Sequence, residues 1–196
     1  MAPAKKASAR NAPARKAPAR KAPGRRGAAI RGWEDDPGEP SARLTPVAFP
    51  VPNLDSKPLP VAVLGTAPAP RAYSPGSAEF RWWAAAEALR RGADMWAKVV
   101  PAGLTWFPTV GDRLEATLDA GEDFNAYYDR QGLKFFHGSV AGRLVYSGES
   151  PDVVCHELGH AVLDAMKPQL FGRSFIEKLV VFRLPERLNP SRTVNG

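Results

Sequence analysis

The stretch from Ser150 to Pro168 leaves this chain the least choice. Ser150 is a strong helix cap, and Pro151 suits the first helical position, where its missing N–H costs nothing. Asp152 complements the positive end of the helix dipole. Val153 to Met166 then runs without a breaker and Pro168 stops it, so the sequence predicts a helix over 151–166. Val154, Leu158, Gly159, Ala161 and Val162 are all uncharged. A helix of this kind is buried, and the rest of the chain must build a core around it.

That helix carries His156-Glu157-Leu158-Gly159-His160, which holds two of the three histidines in the chain. Residues four apart lie one turn apart on the same face, so the two imidazoles can take adjacent corners of a tetrahedral Zn²⁺ site. Glu157 projects about 100° round the helix. It is away from the natural place for a third ligand but well placed to take a proton from an attacking water. Asp164 continues the metal face by another turn and can orient a histidine. The alternative is a pair of unliganded helix histidines. A buried apolar helix has no cheap reason to carry two histidines and a glutamate together.

The run Ser147-Gly148-Glu149-Ser150-Pro151-Asp152-Val153-Val154-Cys155-His156-Glu157-Leu158-Gly159-His160-Ala161-Val162-Leu163-Asp164 resembles the active-site helix, with its lead-in, of thermolysin-like zinc metallopeptidases. Upstream, Asn125-Ala126-Tyr127-Tyr128 and Phe135-Phe136-His137-Gly138 resemble that family's active-site edge strand and the strand after it. The likeness covers roughly residues 80–166 and is specific mainly over 125–164. It implies a zincin-like fold, zinc on His156 and His160, Glu157 as general base, and Asn125 with Ala126 binding substrate backbone as an added strand. It also implies a third ligand, a glutamate on the order of twenty residues past His160. Position 180 is Val180, and only Glu177 and Glu186 follow His160. Glu177 is the better placed, since Pro185 and Pro190 confine Glu186. No histidine follows His160, so residues 168–196 read as a truncated or diverged start of the family's C-terminal lobe.

The remaining segments fall into blocks. Residues 1–27 hold nine of the 27 Lys/Arg and no acid, leaving 18 basic against 20 acidic residues elsewhere. From Ala2 to Arg26 they repeat in pentads opened by alanine, with proline frequent and no large apolar side chain. This reads as a disordered basic tail able to bind nucleic acid or another polyanion without sequence preference, or as a solubilising leader. Residues 28–72 read as a proline-rich extended segment in which Val61 to Leu64 can add an edge strand. Trp82, Ala86, Leu89, Ala93, Trp96 and Val100 share one helical face over about 77–100, with Arg81, Arg90, Arg91 and Asp94 elsewhere on the wheel. Short strands are expected at Leu114–Leu118, Asn125–Asp129, Leu133–Phe136 and Arg143–Tyr146, as an antiparallel meander or mixed sheet.

The fold class is thus α+β: a mixed, mostly antiparallel sheet packed on a buried active-site helix, with residues 73–167 as the zincin-like lobe. His137 is a minor metal candidate, and Cys155 reads as a small buried group. A single cysteine excludes a disulfide scaffold and multi-cysteine metal sites. No apolar stretch reaches 18 residues, so no membrane partner is expected, and with nothing directing export the default location is cytoplasmic, although the family it resembles is often secreted. The expected function is a zinc endopeptidase acting on peptide or protein substrates through metal-activated water. The competing expectation is an inactive peptidase remnant that binds, with the tail as its working part.

Overall fold

The computed structural model describes residues 30–47, 54–55 and 58–170. The basic tail 1–27, most of 168–196, Glu177 and Glu186 therefore lie outside the described residues. The elements in chain order are β1 (Arg31–Trp33), β2 (Leu44–Pro46), β3 (Val61–Val63), α1 (Ala78–Trp96), β4 (Leu114–Thr117), β5 (Ala126–Tyr128), β6 (Leu133–Phe135), β7 (His137–Val140), β8 (Arg143–Tyr146) and α2 (Pro151–Met166). Single 3₁₀ turns at Ser147–Glu149 and Pro168–Leu170 flank α2. The described residues are thus α+β, with two α-helices and three small sheets.

The central sheet has the order β3-β4-β6-β5. β3 and β6 both run parallel to β4, and β5 runs antiparallel to β6, with Ala126 opposite Phe135 and Tyr128 opposite Leu133. The mixed sheet is present, but parallel pairs outnumber antiparallel ones inside it. β1–β2 and β7–β8 are separate antiparallel hairpins. The departure from a meander has a local cause. A Cβ on Gly132 would lie 2.7 Å from the Glu115 carbonyl oxygen, so only glycine lets the chain entering β6 come this close to β4. β5 is displaced to the edge, and β3 closes the other edge as expected of Val61 to Leu64.

α1 begins at the Ser77 cap, whose side chain accepts the Phe80 N–H, and ends at Trp96, short of Pro101. The residue before a proline is pushed out of the α region, and residues 97–100 close as a tight turn instead. Ala86, Leu89 and Ala93 are buried as the periodicity predicts, while Trp82, Trp96 and Val100 are half-buried. Arg81 and Arg90, expected away from the packed face, are also buried. The reason is tertiary: β1, β3, α2 and the 147–149 turn all pack against α1 and cover it on several sides. Arg90 pairs with Asp94 at 2.8 Å, one turn on.

The core joins Val61, Leu114, Leu133 and Phe135 of the sheet to Leu89 of α1 and to Val154, Leu158 and Val162 of α2. The two helices come closest at Gly92, where a Cβ would meet Leu158 Cδ2 at 2.8 Å. Full burial of Val154, Leu158 and Val162 stabilises by roughly 1.5–3 kcal/mol each. That fixes the rotation of α2, and with it the direction in which its histidines face.

Candidate metal centre

α2 begins where its sequence says it should. Ser150 Oγ accepts the Val153 N–H at 3.3 Å and donates to Asp36 Oδ2 at 2.5 Å, which ties the cap to the loop after β1. Pro151 occupies the first turn with Asp152, and the helix ends at Met166. With Val154, Leu158, Ala161 and Val162 turned into the core, His156 is exposed and His160 half-buried.

The two imidazoles converge. Their Nε2 atoms are 3.0 Å apart, with ring planes at 90° and centroids 4.6 Å apart. Ligand nitrogens about 2.0–2.1 Å from a tetrahedral zinc lie roughly 3.3 Å from each other, so this spacing fits the edge of such a site. Ligand atoms of His156, Glu157 and His160 all fall within 4.8 Å of one another, and this is the group among the described residues that can hold a metal ion. Burial, and then the neighbouring His156, lower the pKa of His160. Both causes favour the neutral imidazole that a metal requires.

Glu157 is buried, and burial pushes its carboxyl up to about 7 against the opposing pull of a hydrogen bond from the Tyr128 N–H. The source of that hydrogen bond follows from the sheet. Asp129 donates to Gly132 across the β5–β6 ladder, so by alternation the N–H groups of Ala126 and Tyr128 point away from β6. The outward N–H of the edge strand at Tyr128 is held by Glu157. The one at Ala126 is taken by the Asn125 side chain, at 2.9 Å.

The resemblance assigns Asn125 and Ala126 to substrate binding, and the structure places them at the start of β5. Both line a cleft of about 420 Å³ together with Phe136, Tyr146, Glu149 and Val153. His156, Glu157 and His160 are not among its lining residues; the cleft meets α2 at its first turn, through Val153. β5 reaches the metal group one residue pair further on, through Tyr128. Glu149, which the sequence reading passed over, is buried at the cleft. Burial pushes its carboxyl to about 7, against the Gly76 N–H at 3.0 Å and Arg81 at 3.7 Å. The Arg81 guanidinium also lies over the Tyr146 ring at 3.7 Å.

Asp164 does different work from the one expected. Fully buried, it takes a bidentate pair from Arg130 at 2.9 and 2.7 Å and the Tyr128 hydroxyl at 3.0 Å. Arg130 also donates to the Pro168 carbonyl at 2.7 Å, just past the end of α2. The aspartate therefore clamps α2 to the β5–β6 turn. A strand residue whose backbone holds Glu157 and whose hydroxyl holds Asp164 went unnoticed because nothing local to Tyr128 marks it. His137 pairs with Asp119 at 2.6 Å and stands outside the metal group. Cys155 is half-buried against the Ala88 carbonyl, and burial raises its thiol pKa.

Compared with known proteins, the chain matches no protein-family model, no curated protein and no solved structure. Among the described residues no helix is long and apolar enough to cross a membrane.

Proposed function

We propose that the chain is a zinc-dependent peptidase, with the zincin-like, thermolysin-type arrangement that its active-site sequence resembles. The observation that carries the reading is the 3.0 Å approach of His156 Nε2 to His160 Nε2 beside a buried carboxyl. His156 and His160 hold the zinc, which when bound polarises a carbonyl and activates water. Glu157 receives the proton of the attacking water. Its raised pKa suits this role, because a base near the working pH both accepts and returns a proton. The Tyr128 N–H keeps that carboxylate aimed. Substrate backbone lies along the β5 edge, where Asn125 turns to free the Ala126 N–H for an added strand.

The test pairs zinc content after dialysis with cleavage of an unstructured protein. Stoichiometric zinc and chelator-sensitive cleavage are expected. Glu157→Gln should keep the metal and lower cleavage by about 10²–10⁴-fold. Zinc-free protein with no cleavage would refute the enzyme.

A second reading is a catalytically inactive peptidase remnant that acts as a binding protein. It draws support from the make-up of the group that could hold a metal ion, which includes Glu157 itself beside the two histidines. If Glu157 serves as a ligand, it is lost as a base. In that reading the basic tail, outside the described residues, binds nucleic acid or another polyanion. Salt-dependent retention on DNA that disappears on deleting residues 1–27 is the expected signature.

A further inference from the structure

The cleft beside β5 has a chemistry of its own. Its walls are largely apolar, with Trp33, Phe124, Phe136, Tyr146 and Val153 among them. At about 420 Å³ it falls within the roughly 300–1,000 Å³ typical of small-ligand sites. Of the charged residues that line it, Asp36, Asp123 and Glu149 are acidic and Arg143 is basic. The excess is negative, so the cleft favours a cation over an anion. The Asp36 carboxylate is engaged by the Gly38 N–H at 2.7 Å and the Ser150 hydroxyl at 2.5 Å. Asp123 is exposed, whereas Glu149 is 7% exposed.

Glu149 has acceptor capacity to spare. An ionised carboxylate offers about four acceptor positions. One N–H, that of Gly76, lies 3.0 and 3.2 Å from its two oxygens. Arg81 stands at 3.7 Å, beyond hydrogen-bond distance, and is shared with Asp119 at 3.9 Å. A buried carboxylate is costly unless it is paired and hydrogen-bonded, and a donor entering from the cleft would supply both. The walls suit the same visitor. Tyr146 already carries the Arg81 guanidinium over its ring at 3.7 Å, and aromatic faces attract cations. We propose that this cleft binds an ammonium or guanidinium group carried on an apolar stem, with the head on the Glu149 carboxylate and the stem against Phe136, Tyr146 and Val153. Such a group is supplied by a lysyl or arginyl side chain of a peptide, or by a free alkylamine. The site requires no metal and does not rest on the peptidase reading.

Calorimetric titration of the full chain tests it, in chelator and at pH 8, above the value of about 7 to which burial pushes Glu149. The probes are a capped Ala-Ala-Lys-Ala-Ala peptide, the same peptide with norleucine for lysine, and n-butylammonium. Norleucine keeps the stem and removes the charge. The lysyl peptide should bind at least roughly tenfold more tightly than the norleucyl one, the worth of a hydrogen bond to a charged group. Glu149→Gln should bring the two peptides to one affinity. Should that variant unfold, Asp123→Lys decides, because its side chain is exposed: lysyl binding should weaken and norleucyl binding should not change. Binding of n-butylammonium without the lysyl peptide, lost in Glu149→Gln, would assign the site to free amines; binding of the lysyl peptide assigns it to a peptide side chain. Equal affinity for the two peptides with no n-butylammonium binding would overturn the proposal, and so would discrimination that survives Glu149→Gln or, in its place, Asp123→Lys. Zinc content and the effect of Glu157→Gln stand apart from all of these outcomes.

Discussion

A carboxyl enclosed beside two imidazoles keeps a proton that an exposed one would have lost. Burial pushes Glu157 and Glu149 to about 7 from an ordinary 4.5, the first against one backbone hydrogen bond and the second against a hydrogen bond and Arg81. The linkage sign follows. Between those values the folded chain binds more protons than the unfolded one, so each group's contribution is complete below 4.5 and disappears as pH rises through 7. For each the difference is on the order of 3 kcal/mol. His160, whose pKa is lowered, acts in the opposite direction, so the informative quantity is a difference between variants. Measured in chelator by thermal unfolding, the wild type should lose more stability than Glu149→Gln between pH 5 and 7.5. Parallel Tm profiles would mean that Glu149 is ionised in the native protein. Neither shift is visible in the sequence. Glu149 is there only a residue of a capping lead-in, and its enclosure depends on Gly76 and Arg81, about seventy positions away.

At the level of elements, α2 is held at its start by a cap and at its end by a charge pair. Ser150, Pro151 and Asp152 act within one turn of themselves, which is why the helix limits were legible as Pro151–Met166. The clamp at the other end joins Arg130, in a left-handed turn at φ 65°, to Asp164. Its guanidinium also lies 4.1 Å from the Phe107 ring centroid. Removing the arginine leaves a fully buried carboxylate with only the Tyr128 hydroxyl. Arg130→Met should therefore cost about 3–5 kcal/mol in urea unfolding. Tyr128→Phe should cost about 1.5–3 kcal/mol, one hydrogen bond to a charged group. Equal small losses for both would mean that the pair is screened by solvent. α1 shows the limit of periodicity. Its apolar stripe located Leu89 and Ala93 in the core, but a helix packed on several sides buries residues the stripe excludes, as Arg81 and Arg90 show.

For the molecule as a whole, metal binding and folding are one equilibrium if His156 and His160 meet only in the native state. Zinc at a hundred times its Kd should raise stability by about 2.7 kcal/mol, read as an upward shift in Tm that chelator reverses. His156→Ala should abolish the shift while leaving the metal-free Tm close to that of the wild type, because the side chain is exposed. An unchanged Tm on adding zinc to the wild type would deny the site. By itself the sequence determined what is decided within a turn or two: the two helices, the Ser150 cap, the four short strands, and the pair of imidazoles on one face. The tertiary structure alone decided which strand lies beside which, where β5 comes to the edge, that Tyr128 and not Asn125 touches Glu157, and that Asp164 binds Arg130. Those outcomes depend on groups tens of residues apart, whose proximity is settled by core packing and by close approaches such as Gly132 to Glu115. No local pattern encodes them.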